Sequence, residues 1–242
     1  MISIFLVSCT FNVNEPVDLL WDKLGEKTDR LIIFLPGLLD SASTFEEKEF
    51  FSHARKAGVK ADMVAMSIHI RHLMENKMIE RIEFDVYLDA IKNGYKNIWL
   101  VGVSIGGLNS LLFYRKHMKG LCGVVALAPY VAGGVLLEEL QKDGIENWEP
   151  KEVYEMMLFE KKLQFLWAWL QQQQSDNNLK SLYLGYGKQD RFIEAIKLLE
   201  SILDKKNIIA IDGEHDWETG QKVWQQQLAS RQQSGLLLPC NK

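Results

Sequence analysis

The sequence has few cysteines, and they show none of the spacings typical of metal sites. Its 242 residues contain three, Cys9, Cys122 and Cys240, with no Cys-x-x-Cys pair and no cluster of cysteine and histidine that would indicate zinc. Three cysteines do not make the disulfide framework of a small secreted domain. We expect Cys122, within LCGVVALAP, to be a small buried core residue.

Long apolar runs and an excess of one charge are also missing. No stretch of 18 apolar residues occurs, so the sequence predicts no transmembrane span. The 28 Lys and Arg nearly balance the 32 Asp and Glu, for a net charge of −4. This balance does not indicate the excess of basic residues that is typical of nucleic-acid-binding proteins. There is no glycine-rich dinucleotide fingerprint after a strand and no phosphate-binding loop. We therefore expect no cofactor, no metal and no nucleic-acid partner.

The first nine residues, MISIFLVSC, permit two interpretations. Leu6-Val7-Ser8-Cys9 resembles the cleavage box of a bacterial lipoprotein, which would make Cys9 a lipid anchor and place the protein in the bacterial envelope. The stretch has no preceding Lys or Arg and is short for a signal sequence. Those features favour an ordinary first strand in a cytoplasmic protein, or a leader shortened by a late start codon.

Apolar runs of strand length alternate with helical patterns along the chain. Strands are predicted in RLIIFLPG, ADMVAMSI, NIWLVG, LCGVVALAP, KSLYLGYG and NIIAID. Helices are predicted in TFEEKEFFSHARKAG, EFDVYLDAIKNG, GGLNSLLFYRKH, RFIEAIKLLESIL and DWETGQKVWQQQLASRQQ. Nearly continuous apolar strands are typical of strands covered on both faces. The alternation predicts a single α/β domain over residues 1–242, with a mostly parallel sheet and helices on both faces.

Three segments stand outside this alternation. Residues 1–29 form an N-terminal segment, and residues 231–242 are expected to be a loose tail. Residues 133–178 contain a helical pattern in which Phe159, Phe165 and Trp169 lie off the main apolar stripe. This insertion is either a helix packed on the sheet or a small helical lid whose aromatic residues line an acyl pocket.

The segment WLVGVSIGGLNS places Ser104 between Gly102 and Gly106 in a G-x-S-x-G pattern, after a predicted strand and before a predicted helix. A sharp strand-to-helix turn holds its central residue in a strained conformation, and glycine on both sides removes the Cβ atoms that would collide. Such a turn presents the serine hydroxyl at the sheet edge, beside the free amides of the helix N-terminus. The pattern therefore predicts that Ser104 is a nucleophile.

Two later loops carry the side chains that a serine nucleophile needs. Asp190 follows the strand LYLGYG, and His215 follows the strand NIIAID. A hydroxyl nucleophile requires a base to take its proton, and the base requires an acceptor that fixes its tautomer. The order Ser104, Asp190, His215 is the one expected for a sheet of this topology.

Each partner has rivals in the sequence. Asp190 could instead cap the helix that follows it, or do both. Asp212 and Asp216 are close to His215 in sequence, which makes a well-directed bond across the pocket harder. The rival histidines are His53 and His117 in predicted helices, and His69 and His72 in a polar loop that could still line the pocket.

With these motifs the chain resembles the α/β-hydrolase superfamily from about residue 30 to residue 230. More narrowly, it looks like a bacterial group of α/β hydrolases with LPG after the first core strand, IWLVGVSIGG at the serine and GEHDW at the histidine. The resemblance implies the backbone N–H groups of Leu38 and Ile105 as an oxyanion hole, with Leu39 as the alternative to Leu38. The chain has Pro36-Gly37 where the superfamily often has His-Gly, a change that need not affect backbone donors.

The sequence thus predicts a serine hydrolase that cleaves a carboxylic ester of a small acyl substrate through an acyl-enzyme. Two alternatives stay open at this point. One is an acyltransferase or thioesterase that uses the same triad, and the other is a catalytically silent scaffold that binds a ligand or a partner protein.

Overall fold

The structure is a computed structural model that describes residues 12–151, 158–234 and 236–240. Cys9 and the lipoprotein-like box lie outside these residues, so the lipid anchor stays a prediction. No helix in the described ranges is long and apolar enough to cross a membrane.

A seven-stranded sheet forms the centre of the molecule, with strand order β1-β3-β2-β4-β5-β6-β7. Its strands are β1 (Leu19–Asp22), β2 (Arg30–Leu35), β3 (Asp62–Met66), β4 (Asn97–Val103), β5 (Gly123–Leu127), β6 (Leu182–Gly187) and β7 (Ile208–Ile211). β1 runs antiparallel to β3, and every other neighbouring pair is parallel. The prediction of a mostly parallel sheet is confirmed.

Helices connect the strands. They are α1 (Ser43–Glu47), α2 (Phe50–Lys56), α3 (Ile70–Met74), α4 (Met78–Ile82), α5 (Leu88–Lys92), α6 (Ile105–His117), α7 (Gly134–Asp143), α8 (Leu158–Ser175), α9 (Ile193–Ser201) and α10 (Trp217–Ser234). A π-helical turn, Glu83–Tyr87, joins α4 to α5, and three short 3₁₀ turns (Met118–Gly120, Leu179–Ser181, Lys205–Asn207) precede strands.

Alternate residues of β2 enter two separate hydrophobic cores, one on each face of the sheet. Leu31 and Ile33 pack with α6, α8 and α9, whereas Ile32 and Phe34 pack with α1, α2 and α10. All four side chains are buried. Because successive side chains of a strand point to opposite faces, a strand covered by helices on both sides must be apolar throughout.

The predicted helix over TFEEKEFFSHARKAG is broken in the structure. α1 ends at Glu47 and α2 begins at Phe50, with Glu49 between them in a left-handed conformation at φ 59°. On a straight helix Phe45 and Phe50 would point about 140° apart. The break lets both rings enter the same core, where their centroids are 5.3 Å apart.

Helix α8 of the insertion packs against α6 and α7. The two interpretations of the insertion, a helix packed on the sheet or a lid over the site, stay predictions. Trp167 is fully buried, and its indole N–H donates to the carbonyl oxygen of Val131 at 2.8 Å. Phe165 stays exposed to solvent. Residues 152–157, the first part of this helical pattern, lie outside the described ranges.

Residues 236–240 of the C-terminal tail are held against the rest of the domain, contrary to the expectation of a loose tail. They lie at the amino ends of the strands, where Trp99 Nε1 donates to the carbonyl oxygen of Leu238 at 3.1 Å. The backbone N–H of Cys240 donates to Asn97 Oδ1 at 3.0 Å. Cys122 is buried as expected but pairs with Cys240 in a disulfide across 118 residues. No local pattern encodes this pairing, because it depends on where the tail crosses the sheet.

Breaking the Cys122–Cys240 disulfide is expected to lower the melting temperature by roughly 5–15 °C. A native cross-link typically contributes about 2–4 kcal/mol, and each kcal/mol corresponds to about 2–4 °C in a domain of this size. The measurement is thermal unfolding with and without a phosphine reductant. Cys240→Ser should melt at the lower temperature and no longer respond to reductant. An unchanged melting temperature after full reduction, verified by thiol titration, would contradict the prediction.

Candidate active site

Ser104 occupies a strained turn between β4 and α6. Its φ is 53° and its ψ −116°, a backbone conformation that costs a non-glycine residue about 1–3 kcal/mol. The backbone N–H of Ser104 donates to the carbonyl oxygen of Leu127 at 2.8 Å, which ties the turn to the neighbouring strand β5. The strain is therefore held by the surrounding sheet.

Gly102 and Gly106 are required by close backbone approaches at this turn. A Cβ on Gly102 would collide with the carbonyl oxygen of Gly106, and a Cβ on Gly106 would collide with the carbonyl oxygens of Leu35 and Pro36. Backbone atoms in the middle of a sheet cannot move aside as a flexible side chain would. Glycine at both positions is what lets α6 begin directly over the ends of β2 and β4.

We expect Gly106→Ala to destabilise the protein by about 2–4 kcal/mol, because the added methyl group meets backbone rather than side chains. The matched control is Gly220→Ala in α10, where an added Cβ has nothing within 4 Å. That change should leave stability equal or raise it by about 0.5–1 kcal/mol, since alanine favours helix. Chemical denaturation measures both variants, and equal stabilities for the two would contradict the packing described here.

The structure brings Ser104, His215 and Asp190 together in one hydrogen-bonded chain. His215 Nε2 lies 3.0 Å from Ser104 Oγ, and His215 Nδ1 lies 2.7 Å from Asp190 Oδ2. The other carboxylate oxygen of Asp190 accepts the backbone N–H of Phe192 at 2.8 Å. With the carboxylate accepting from Nδ1–H, Nε2 is left with its lone pair towards the serine hydroxyl. The serine can then lose its proton to the histidine.

The environment of the histidine keeps this geometry. The Asp190 side chain is completely buried, and that of His215 is 12% exposed. The Phe192 ring and the imidazole pack in a T-shaped arrangement, with ring centroids 5.0 Å apart and planes at 87°. The packing restricts rotation of the imidazole and limits access of water to the carboxylate.

The rival aspartates have other partners. Asp212 is largely exposed and forms an ion pair with Lys188 at 3.1 Å. Asp216 precedes α10, where its carboxylate accepts the backbone N–H of Thr219 at 2.7 Å. That backbone hydrogen bond lowers the pKa of the Asp216 carboxyl. Both carboxylates are therefore engaged away from His215 Nδ1.

The rival histidines lie on other parts of the surface or core. His53 contacts Gln225 across the α2–α10 interface, and His117 lies 3.3 Å from Glu83. His72 lies in the short helix α3 and His69 directly precedes it, where the sequence predicted a polar loop. The side chain of His69 accepts the backbone N–H of Arg71 and so begins α3.

A cavity of about 270 Å³ opens beside the serine, lined on one side by the loop after β2 and on the other by the histidine loop. The side chains and backbone that face it include Gly37, Leu38, Asp40, Ser104, Leu127, Gly185, Arg191, His215, Trp217 and Val223. Of the two leucines considered for the oxyanion hole, Leu38 lines this cavity, whereas Leu39 is 78% exposed. Ile105 is the first residue of α6. The assignment of the Leu38 and Ile105 amides stays a prediction.

Two cavity residues, Asp40 and Trp217, were missed by sequence reasoning. Each lies two positions beyond a residue that the motifs singled out, Leu38 in LPGLLD and His215 in GEHDW. Their positions within these two segments were the only available signal. In residues 12–151, 158–234 and 236–240 no cluster of three His, Cys, Asp or Glu side chains is arranged to hold a metal ion.

Solved structures share this architecture over most of their length. The S-formylglutathione hydrolase of Staphylococcus aureus is 15% identical, with a TM-score of 0.57 over 83% of this chain and 80% of that one. An esterase of Pyrococcus furiosus is 18% identical, with a TM-score of 0.56 over 90% and 85%. Fluorophosphonate-binding serine hydrolase F of Staphylococcus aureus is 12% identical, with a TM-score of 0.57 over 89% and 98%.

At these identities the likeness establishes the fold. The chain has the α/β-hydrolase fold, as its motifs indicated. No protein-family model and no curated protein matches the sequence.

Proposed function

We propose that the protein is a serine hydrolase that cleaves a carboxylic ester of a small substrate through an acyl-enzyme. The observation that carries this proposal is the chain from Ser104 Oγ to His215 Nε2 at 3.0 Å and from His215 Nδ1 to Asp190 Oδ2 at 2.7 Å, beside an open cavity. The shared fold with an S-formylglutathione hydrolase and with an esterase is compatible with this chemistry. The fold alone does not carry the proposal, because one fold hosts many functions.

Acylation begins with proton transfer from Ser104 Oγ to His215 Nε2 as the oxygen attacks the ester carbonyl carbon. Asp190 stays ionised and stabilises the imidazolium that forms. The carbonyl oxygen becomes an oxyanion, which the N–H groups of Ile105 and Leu38 would bind; one such donor is typically worth about 10²–10³ in rate. His215 then donates the proton to the leaving alcohol oxygen as the ester bond breaks.

Deacylation repeats the sequence with water. His215 Nε2 takes a proton from a water molecule while the water oxygen attacks the acyl carbon. His215 then returns the proton to Ser104 Oγ as the carboxylic acid leaves. No other reactant is needed for this cycle. The same attack would cleave a thioester, and an alcohol in place of water would make the protein an acyltransferase.

The cavity volume favours a small acyl group. About 270 Å³ lies just under the usual range of roughly 300–1,000 Å³ for pockets that enclose drug-sized ligands. Gly37, Gly185 and Gly187 are among the residues that line this space. A long acyl chain would have to extend beyond the cavity.

We also propose that helix α8 of the insertion borders the site through Phe159, although no described residue of the insertion lines the 270 Å³ cavity itself. A row of aromatic rings connects α8 to the histidine. The ring centroids of Phe159 and Tyr130 are 5.8 Å apart, and those of Tyr130 and Phe192 are 5.0 Å apart. Phe192 in turn contacts His215.

The test of the proposal is the partitioning of a shared acyl-enzyme. Purified protein is given 4-nitrophenyl acetate or phenyl acetate in water that contains increasing methanol. We expect both esters to turn over and to yield the same ratio of methyl acetate to acetate, because both pass through one acetyl-enzyme. Absence of turnover, or ratios that depend on the leaving group, would refute the acyl-enzyme route. A strong preference for methanol at low concentration would indicate an acyltransferase.

A further inference from the structure

A hydrogen bond joins the two loops that flank Ser104. The indole N–H of Trp217 donates to Asp40 Oδ1 at 3.3 Å, across 177 residues of sequence. Asp40 lies two residues after Leu38 in the loop after β2. Trp217 lies two residues after His215 and is the first residue of α10, directly after the loop that follows β7. The bond therefore connects the segment that carries an oxyanion donor in the proposed function to the segment that carries the base.

The carboxylate of Asp40 folds back over its own loop, close to the nucleophile. A Cβ built on Gly37 would lie 2.7 Å from Asp40 Oδ2 and 3.8 Å from the Cβ of Ser104. The backbone N–H of Asp40 closes a turn onto the carbonyl oxygen of Gly37 at 3.4 Å. Leu38 is inside this turn, so the position of its N–H depends on how the turn is held.

Trp217 provides a fixed anchor for that turn. Its ring meets Phe45 of α1 and Phe50 of α2 edge-on, with centroids 5.6 Å and 5.7 Å away. Both phenylalanines are fully buried. Because the indole packs edge-on against these two buried rings, its rotation is restricted, and in this orientation its N–H points to Asp40 Oδ1.

The hydrogen bond from the Trp217 indole stabilises the charge of the partly buried Asp40 carboxylate. Burial raises the pKa of the Asp40 carboxyl, while the hydrogen bond from Trp217 acts in the opposite direction. A half-buried carboxylate that lost this donor would turn towards water, and the 37–40 turn would move with it. A negative charge so near the reacting carbonyl gives no help to a developing oxyanion, so the benefit of Asp40 is geometric.

We propose that Asp40 and Trp217 are a positioning pair, which holds the Leu38 amide and the His215 imidazole at a fixed separation on either side of Ser104. This inference rests on the proposed hydrolase function. Neither residue touches the reacting atoms. Loss of the pair lowers the rate of the chemical steps, because a displaced oxyanion donor stabilises the transition state less while substrate still enters the cavity.

Three substitutions distinguish a geometric role of the Asp40–Trp217 hydrogen bond from an effect of the Asp40 charge. Asp40→Ala and Trp217→Phe are each expected to lower kcat for 4-nitrophenyl acetate by about 10–100-fold, with KM changed by less than about threefold. Asp40→Asn should retain kcat within about threefold, because its amide oxygen still accepts the indole N–H. The double variant Asp40→Ala/Trp217→Phe should be no slower than the slower single variant, because both changes remove the same bond.

The controls make each outcome decisive. Ser41→Ala, in the neighbouring exposed position, should leave kcat unchanged, and thermal unfolding verifies that every variant is folded at the assay temperature. Trp217→Phe keeps an aromatic ring against Phe45 and Phe50, so it serves as the second route if Asp40→Ala does not fold. A folded Asp40→Ala or Trp217→Phe with wild-type kcat would overturn the inference, as would an Asp40→Asn as slow as Asp40→Ala.

Failure of this inference is distinguishable from failure of the proposed function. If wild-type protein turns over esters in a Ser104-dependent manner and Asp40→Ala matches it, only the positioning pair is wrong. If wild-type protein shows no Ser104-dependent turnover, the hydrolase proposal itself is wrong.

Discussion

Ser104→Ala is expected to lower kcat/KM for short-chain aryl esters by about 10⁴–10⁶-fold. The substitution removes the only atom that would bond to the acyl carbon, while the oxyanion donors and the cavity remain. Residual activity above the uncatalysed rate is expected from these remaining features. The hydroxyl contacts His215 Nε2 and is not part of the hydrophobic core. The melting temperature should therefore change by no more than a few degrees, and kinetics on the folded variant measure the loss directly.

The matched control is Ser110→Ala in α6, the helix that follows Ser104. Ser110 is completely buried, and its hydroxyl has no partner among the described residues. Exchange of this hydroxyl for hydrogen removes a polar group from an apolar core, so activity should stay near wild type. Equal activity of Ser104→Ala and wild type would exclude Ser104 as the nucleophile.

Asp190→Asn is expected to lower kcat by about 10⁴-fold with little change in KM. The asparagine can keep the hydrogen bond from the Phe192 backbone through its oxygen, so the loop stays in place. Its NH₂ group then faces His215 Nδ1, which must become an acceptor and move the ring proton to Nε2. An Nε2–H cannot take the proton of Ser104. The imidazole has the right position but the wrong tautomer.

The control for Asp190→Asn is Asp212→Asn, the same chemical change at a rival position. The Asp212 side chain is 84% exposed and pairs with Lys188, so an exposed ion pair worth at most about 1 kcal/mol is lost. Its kcat should equal that of wild type. If Asp190→Asn kept kcat within tenfold of wild type, another group would have to orient His215.

The sheet could be predicted because its signals are local. The runs RLIIF, NIWLVG and VVAL are apolar at nearly every position, as a strand buried on both faces requires, and turn residues separate them from the helices. The carboxyl ends of parallel strands meet at one edge of a sheet. Side chains that follow β4, β6 and β7 were therefore expected to lie near one another, although Ser104 and His215 are 111 residues apart.

The parts that could not be predicted depend on contacts distant in sequence. Cys122 gives no sign of its partner, because the tail reaches it only by crossing the amino ends of β2 and β4. The break at Glu49 lets Phe45 and Phe50 pack against Trp217, a residue that is distant from them in sequence. A helical sequence pattern alone cannot show that a tertiary contact breaks the helix.

The same limit applies to the site. Motifs located Ser104 and its partners because the chemistry restricts the residue types and their order. Asp40 and Trp217 lie in less restricted positions, and their hydrogen bond exists only because the loops after β2 and β7 come together. The size of the cavity is likewise set by packing between α10 and the strand ends, and no spacing in the sequence specifies it.

The most direct test of the triad is covalent labelling of the native protein with a fluorophosphonate, followed by peptide mapping. The hydrogen-bonded chain predicts one adduct per protein chain, on the oxygen of Ser104. It also predicts that Ser104→Ala abolishes the adduct and that Asp190→Asn slows its formation, while Asp212→Asn labels at the wild-type rate. Wild-type protein that stays unlabelled, or an adduct on a different side chain, would contradict the assignment of Ser104 as an activated nucleophile.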